Sequence, residues 1–402
     1  MQPPVSLVRR VAVAAIGLAL IVALVRLFSP DPAGSQPVPT LTVTRDLRID
    51  AAVQDLSPIN WMAVAPNGTI AVSQFQDSRV AFFDADGKPL GTFGRSGDGP
   101  GEFRRPASHG WLGDTLWVSD PGTRRVTLIS PQRELLRTLP WANGITFDST
   151  LAPPPQFFWV FPRALYPDGS SLVDAMVARD SPPIPWPGPA RDGNPLVRIS
   201  ASGRFQRILM WTPDRGCSVS FPIQGGSGFA SIPFCTIPLT DLAPDGSRFA
   251  LATAEDVDER EGFYRVLVVR ASGDTVFNTR HAFGPVAIPE RMADSVIAQR
   301  LSRNEQPEFA AAWRSMKLPA SFPPLDRVLL GRDETTWIEH YTFSGNRTWS
   351  VLDHTGQPIG WLVIPRDVRI QQAARDTIWA IETDDDGLQH IVRFRVTSAR
   401  GS

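Results

Sequence analysis

Six short turn signals divide this chain, and each is followed at once by a short apolar run: Pro66-Asn67-Gly68, Gly113-Asp114, Pro167-Asp168-Gly169, Pro244-Asp245-Gly246, Arg332-Asp333 and Arg375-Asp376. Three of the runs nearly copy one another: Asp114-Thr115-Leu116-Trp117-Val118, Glu334-Thr335-Thr336-Trp337-Ile338 and Asp376-Thr377-Ile378-Trp379-Ala380. Counted from Gly68, Gly113, Gly169, Gly246, Asp333 and Asp376, the intervals are 45, 56, 77, 87 and 43 residues. The Asn-Gly, Asp-Gly and Ser-Gly turns supply the positive φ angles of tight hairpins. Segments such as Arg79 to Asp84 and Tyr264 to Val269 run apolar or alternate over the length of a strand.

A base interval near 43 to 45 residues, lengthened by insertions, is the period of propeller-type β repeats. Within each repeat a second signal would join the third and fourth strands: Asp86-Gly87, Pro131-Gln132, Ser202-Gly203, Ser272-Gly273 and Thr355-Gly356. The sixth repeat lacks one, because it turns at Asp384 to Gly387 and ends on the strand Gln389 to Val396. An orphan strand, Leu41 to Asp50, precedes the first repeat and would supply the missing fourth strand, closing a ring with no free sheet edge. The fold class expected is all-β, a six-bladed β-propeller. A two-sheet sandwich would leave the matching Trp-bearing strands unexplained.

At Gly94-Arg95-Ser96-Gly97-Asp98-Gly99-Pro100-Gly101-Glu102-Phe103, then Arg104-Arg105-Pro106, then Leu116-Trp117-Val118-Ser119-Asp120 and Arg125-Val126, the chain resembles NHL-type six-bladed β-propellers of the TolB/NHL-like superfamily. The second repeat matches well and the first partly, through Val72-Ser73, Asp77, Ser78, Arg79 and Val80. The other four keep only turns and strand rhythm. The resemblance implies the fold and is almost silent about function, since such propellers host binding modules, sensors and some enzymes. The Gly-rich stretch is no phosphate loop, because Pro106 and a strand follow where a helix should begin.

The ring uses about 355 of the 402 residues, leaving no second globular domain. A net charge of -1 and a pI near 6.5 argue against a nucleic-acid partner or an anionic-membrane footprint, which need a clustered basic excess. Arg9-Arg10 precede an uncharged apolar run, Val11 to Val25, so residues 1–28 read as a signal anchor or a signal peptide and 29–40 as a Pro-rich linker. The run would span about 22 to 27 Å, short of a hydrocarbon core of about 30 Å. No small-x-small cleavage site or lipobox cysteine stands out, which favours an uncleaved membrane anchor with the propeller, residues 41–402, outside the cytoplasm, in the periplasm or at the cell surface. The only cysteines, Cys217 and Cys235, share one insertion and are a disulfide candidate; two buried thiols are the alternative.

Loops joining strands one to two and three to four lie on one face of a propeller, and the remaining connections on the other. Every long segment falls in the second set: Gly94 to Arg105, Ala142 to Gln156, Arg179 to Asn194, Thr212 to Cys235, Ala254 to Gly262 and Gly284 to Phe322. One face is therefore plain and the other built up, and loops on a rigid scaffold commonly carry function. The insertion 285–322 holds the one helical pattern, Pro289 to Met316, either a lid over the channel or a hairpin packed on a blade edge. The run Ser181 to Pro187 would either display Trp186 or stiffen a loop. Glu255, Asp256, Asp258, Glu259 and Glu261 read as a solvated loop, with a weak calcium site as the sharper reading.

Innermost strands line the channel, so residues before each first turn are candidates for ligand binding. Aligned by turns, Met62, His109, Arg163, Thr240, Leu329 and Gln371 share a level, with Asn60, Ala107, Phe161, Pro238, Arg327 and Arg369 two residues nearer the loop-rich face. The polar members, Asn60, His109, Arg163, Thr240, Arg327, Arg369 and Gln371, lean cationic and would suit a small anionic ligand; structural pairing of the arginines with Asp241 or Asp326 is the competing account. A one-residue slip would exchange inward and outward sets. No cofactor motif, metal-ligating His cluster or nucleophile elbow appears. The expectation is a membrane-anchored binding module for a ligand or partner protein; a hydrolase or lyase in the channel and a structural envelope protein are the alternatives.

Overall fold

The computed structural model describes residues 38–398 apart from 57, 142–143, 148–152, 179, 185–192, 215, 224–225, 259, 304–305 and 344. The apolar run 11–25 and Trp186 lie outside the described residues, as does Glu259 of the acidic loop. No helix among the described residues is long and apolar enough to cross a membrane.

Six four-stranded antiparallel sheets form the blades. Blade one is β2 (Trp61–Val64), β3 (Ile70–Gln74), β4 (Arg79–Phe83) and β5 (Pro89–Phe93). Blade two is β6 (His109–Leu112), β7 (Thr115–Asp120), β8 (Arg125–Ile129) and β9 (Leu135–Pro140). Blade three is β10 (Phe157–Leu165), β11 (Ser171–Val177), β12 (Gly193–Ile199) and β13 (Phe205–Pro213). Blade four is β16 (Leu239–Leu242), β17 (Arg248–Glu255), β18 (Gly262–Arg270) and β19 (Thr275–Phe283). Blade five is β20 (Leu325–Leu330), β21 (Thr336–His340), β22 (Asn346–Leu352) and β23 (Pro358–Pro365). Blade six is β24 (Val368–Ala374), β25 (Thr377–Thr383) and β26 (Gln389–Ser398), completed by β1 (Leu41–Ile49). Strand β1 pairs antiparallel with β26, from Leu41 opposite Ser398 to Ile49 opposite Ile391. The closure is reinforced past the strand: His390 Nδ1 accepts from the Ala51 N–H at 3.0 Å and Gln389 Oε1 from the Ile59 N–H at 2.7 Å. Ala51 opens a single helical turn, α1 (Ala51–Gln54), capped by the Asp50 carboxylate.

The three near-copied strands do the same mechanical work. Trp117 packs against Leu165 of blade three, Trp337 against Val368 and Ile370 of blade six, and Trp379 against Met62 and Val64 of blade one. Each tryptophan fills the wedge between its own blade and the next, so the ring is held by a series of interblade cores. The NHL-like segment is likewise structural. Phe103 is fully buried between blades one and two, and a Cβ at Gly94 would lie 2.5 Å from its ring. The buried Asp120 carboxylate accepts the backbone N–H groups of Arg104, Arg105, Gly122 and Thr123. Four N–H bonds to one carboxylate fix both the linker into the blade and the turn after β7.

On one face every connection is five residues or shorter, and eight glycines of its turns, Gly68, Gly87, Gly113, Gly169, Gly203, Gly246, Gly273 and Gly356, have positive φ. Where blade two and blade five lack that glycine, Arg133 and Glu334 take the left-handed conformation instead. The opposite face carries the insertions. Between blades three and four, hairpin β14 (Ser218–Ile223) and β15 (Gly226–Ser231) is closed by a disulfide between Cys217 and Cys235. Between blades four and five lie α2 (Glu290–Arg303) and α3 (Pro307–Arg314). Phe309 and Trp313 of α3 pack on Phe221 and Ala230 of the hairpin, with Phe221 and Phe309 edge to face at 4.6 Å. The helical pair thus covers the neighbouring insertion rather than a blade edge, and the two insertions form one cap.

Candidate functional site

The inner strand of each blade is a sheet edge, so its channel-side backbone groups need partners from elsewhere. Three polar side chains supply them across successive seams. Asp241 Oδ2 accepts from the Leu330 N–H at 2.7 Å, joining blades four and five. Arg327 Nη1 donates to the Ile370 carbonyl at 2.7 Å, joining five and six. Gln372 Oε1 accepts from the Val64 N–H at 3.1 Å, joining six and one.

The seven channel candidates meet different fates. Asn60 accepts from the Phe75 N–H at 2.8 Å and holds a loop of blade one. His109 is buried, with Nε2 at 3.1 Å from the Ala71 carbonyl and Nδ1 without a partner; burial lowers its pKa to about 4, so the ring is neutral at pH 7. Arg163 lies 3.5 Å from Asp174, and the two share a cavity of about 10 Å³ with Thr240 and Asp241, room for a single water. Burial raises the Asp174 carboxyl, with Arg163 opposing. Burial also raises Asp241, to about 6, against the lowering effect of N–H bonds from Leu330 and Leu242. Arg327 lies in the blade five–six seam, where burial first and the Arg369 charge second depress its pKa. Arg369 is exposed. Gln371 sits in a bulge, where the register of β24 on β25 jumps between Ile370 and Gln372, which puts Gln372 in the bridging role.

A second feature was not singled out from the sequence. Of the large apolar side chains exposed among the described residues, Trp61, Phe158, Trp159, Met176, Phe229, Ile237, Val286 and Phe343 all sit at or beyond the loop-rich ends of their strands; Leu135 and Leu136 lie at the plain end. Phe158 is 81% and Phe229 63% exposed. The aromatics are held in place: Phe161 lies edge to face with Trp141 at 5.1 Å and Trp159 at 5.5 Å, and Phe322 braces Phe343 at 4.1 Å. The run Phe157-Phe158-Trp159 at the start of an inner strand, where alternation should bury only every second residue, was the available signal. Among the described residues no group of three or more His, Cys, Asp or Glu is placed to hold a metal ion.

No protein-family model and no curated protein matches the chain. Among solved structures it is similar to a member of the DUF4221 family from Bacteroides vulgatus, at 11% identity and a TM-score of 0.45 over 90% of this chain and 98% of that one. It is also similar to virginiamycin B lyase from Staphylococcus aureus, at 12% identity and a TM-score of 0.39 over 90% of this chain and 100% of that one. A third is regucalcin, a calcium-binding protein from Agrobacterium tumefaciens, at 12% identity and a TM-score of 0.35 over 88% and 96%. Likenesses of this degree carry no argument about activity. The chain's own topology, six four-stranded blades closed by the N-terminal strand, is the architecture expected from its resemblance to the TolB/NHL-like superfamily.

Proposed function

We propose that this chain is an extracytoplasmic binding module that takes a partner protein or ligand on its loop-rich face. The observation that carries the reading is the gathering of exposed apolar side chains at that face and their near absence from the plain one. Rigid, exposed aromatics on braced strands are the usual anchors of an interface. Two further facts fit. The Cys217–Cys235 disulfide belongs to an oxidising compartment. Strand β1 enters at the plain face, since Leu41 pairs with the last residue of β26, so an anchor upstream would tether that face and turn the loops away from the membrane.

The rival, a hydrolase or lyase in the channel, draws support from Asp241, a carboxyl raised to about 6 beside Asp174 and Arg163. The cavity there has room for a water and not for a substrate, which sets the rival second. A photo-crosslinking residue placed at Phe158 or Phe229, with Leu136 on the plain face as control, tests the module in the envelope of the source cell. The expected result is one common adduct from Phe158 and Phe229 and none from Leu136. Equal labelling from both faces, or none from either, sinks the reading.

A further inference from the structure

Several half-buried arginines are neutralised: Arg79, Arg163, Arg265, Arg347 and Arg393 each have a carboxylate oxygen within 3.5 Å, whereas buried Arg248 and half-buried Arg207 meet backbone carbonyls. Two inner-strand arginines also lack a carboxylate partner among the described residues. Arg327 has no carboxylate within ion-pair distance among the described residues; its guanidinium donates to the Ile370 carbonyl and lies over the Trp349 ring at 5.9 Å. Arg369 is exposed and has neither a hydrogen bond nor an ion pair among the described residues, and the same holds for the amide of Gln371. The two arginines are neighbours across the blade five–six seam, because Arg327 Nη1 touches the carbonyl of the residue that follows Arg369.

Nearby carboxylates act on Arg327 only from beyond ion-pair distance. Glu339, opposite Arg327 in the sheet, gives one oxygen to Arg347 at 2.6 Å and leaves Oε2 without a hydrogen bond, and Asp241 spends its Oδ2 on the Leu330 N–H. What remains at the loop-rich mouth of the channel is the exposed Arg369 guanidinium, on the residue before the carbonyl that Arg327 reaches, with an unbonded amide two residues along the same strand. Repulsion by Arg369 is part of what depresses Arg327. Like charges placed together on rigid inner strands cost stability unless an opposite charge joins them. Two planar forks and an amide donor match the several lone pairs of an oxyanion.

We propose that Arg327, Arg369 and Gln371 form an oxyanion site at the loop-rich mouth of the channel, which takes the carboxylate or phosphate group of a small ligand. The site is independent of the apolar anchors and stands or falls without them. An anion seated there adds to the bonds that already join blades five and six, from Arg327 to the Ile370 carbonyl and from the Arg332 N–H to the Ala373 carbonyl.

The test is titration calorimetry on the full chain with inorganic phosphate and, separately, citrate and acetate, at ionic strength held constant with sodium chloride. Saturable 1:1 binding is expected, with phosphate against citrate or acetate deciding which oxyanion the site prefers. Arg369 is exposed, so Arg369→Gln should fold normally and weaken binding about tenfold or more, as expected for loss of one charge-assisted pair. Arg369→Lys should recover part of it. Arg95→Gln, an exposed arginine on the same face, should leave binding unchanged. Absence of saturable binding by all three anions, or equal losses in Arg95→Gln and Arg369→Gln, overturns the site.

Discussion

The two faces of this propeller are built by different rules. The plain face largely repeats one solution: a turn of at most five residues, with a left-handed residue where the hairpin reverses in every turn but the one after β24, and often an Asp or Asn side chain caging the backbone, as Asp84 does for Asp86 and Lys88 and Asp353 does for Thr355 and Gln357. The loop-rich face repeats little beyond the four-residue turns of blades one and two, each ending in a left-handed residue, Ser78 and Arg124. It carries a capped helix on blade one, a Gly-rich linker on blade two, and a disulfide-bonded hairpin and a helical pair that share one apolar cluster. Of the large apolar side chains left in solvent among the described residues, most stand at the loop-rich end, and Leu135 and Leu136 are those at the plain end. The ring is thus a scaffold whose stability is set by its seams and whose surface chemistry is left to one end.

That contrast is sharpest in two aromatic residues. Trp337 is fully buried in the blade five–six seam, its indole N–H bonded to Thr335 at 2.9 Å, whereas Phe158 stands almost free. Trp337→Ala should cost about 3 to 5 kcal/mol in denaturant unfolding, from lost burial and the cavity left behind. Phe158→Ala should change stability by no more than about 0.5 kcal/mol. If the two cost the same, the division between a structural seam and a free face is wrong.

What the sequence made legible follows the same line. Turn positions, blade number and the closing role of the N-terminal strand were readable because each depends on chemistry within a few residues of chain, or on a strand count. The three Trp strands were readable as copies, though not as wedges, since a wedge needs the next blade. The site fared worse, for a physical reason. A bulge of one residue at Gln371 gives the bridging bond to Gln372, and no local pattern announces it. His109 and Asn60 fell at the two aligned levels, yet His109 Nε2 and Asn60 Oδ1 meet the backbone of blade one. The cap needed contact between hairpin and helices 88 residues apart in the chain, Phe221 on Phe309, which periodicity cannot supply.

The cap offers a second way to separate the faces. A disulfide across an 18-residue separation is worth about 3 kcal/mol in the chain-entropy model. Because the cap's apolar cluster is separate from the interblade clusters, reduction should act locally. Hydrogen exchange in 217–235 and α3 should quicken by about 100-fold on reduction, a factor set by that energy, while the blade strands keep their protection. Uniform quickening across the blades would show that cap and ring unfold as one unit.

The smallest effect expected is electrostatic and concerns the inner strands, where the two faces meet. Asp241 titrates near 6 in the fold against about 3.9 in an unfolded chain, so between those values the native state holds the extra proton. By linkage this one group makes stability fall as pH rises from about 4 to 6. His109 acts oppositely: held near 4 against about 6.5 when unfolded, its contribution is fully present above about 6.5 and is lost as pH falls toward 4. In the wild type the two oppose each other over the same window. Asp241→Asn keeps a side-chain oxygen for the Leu330 N–H and removes the titration, so stability should rise more steeply with pH between 4 and 6.5 than in the wild type, and at pH 7 should be higher by about 1 kcal/mol or unchanged. Urea unfolding at pH 4.5 and pH 7 reads both values. An unchanged pH slope in the variant would mean that Asp241 is ionised throughout, and that the seam between blades four and five is wetter than its burial implies.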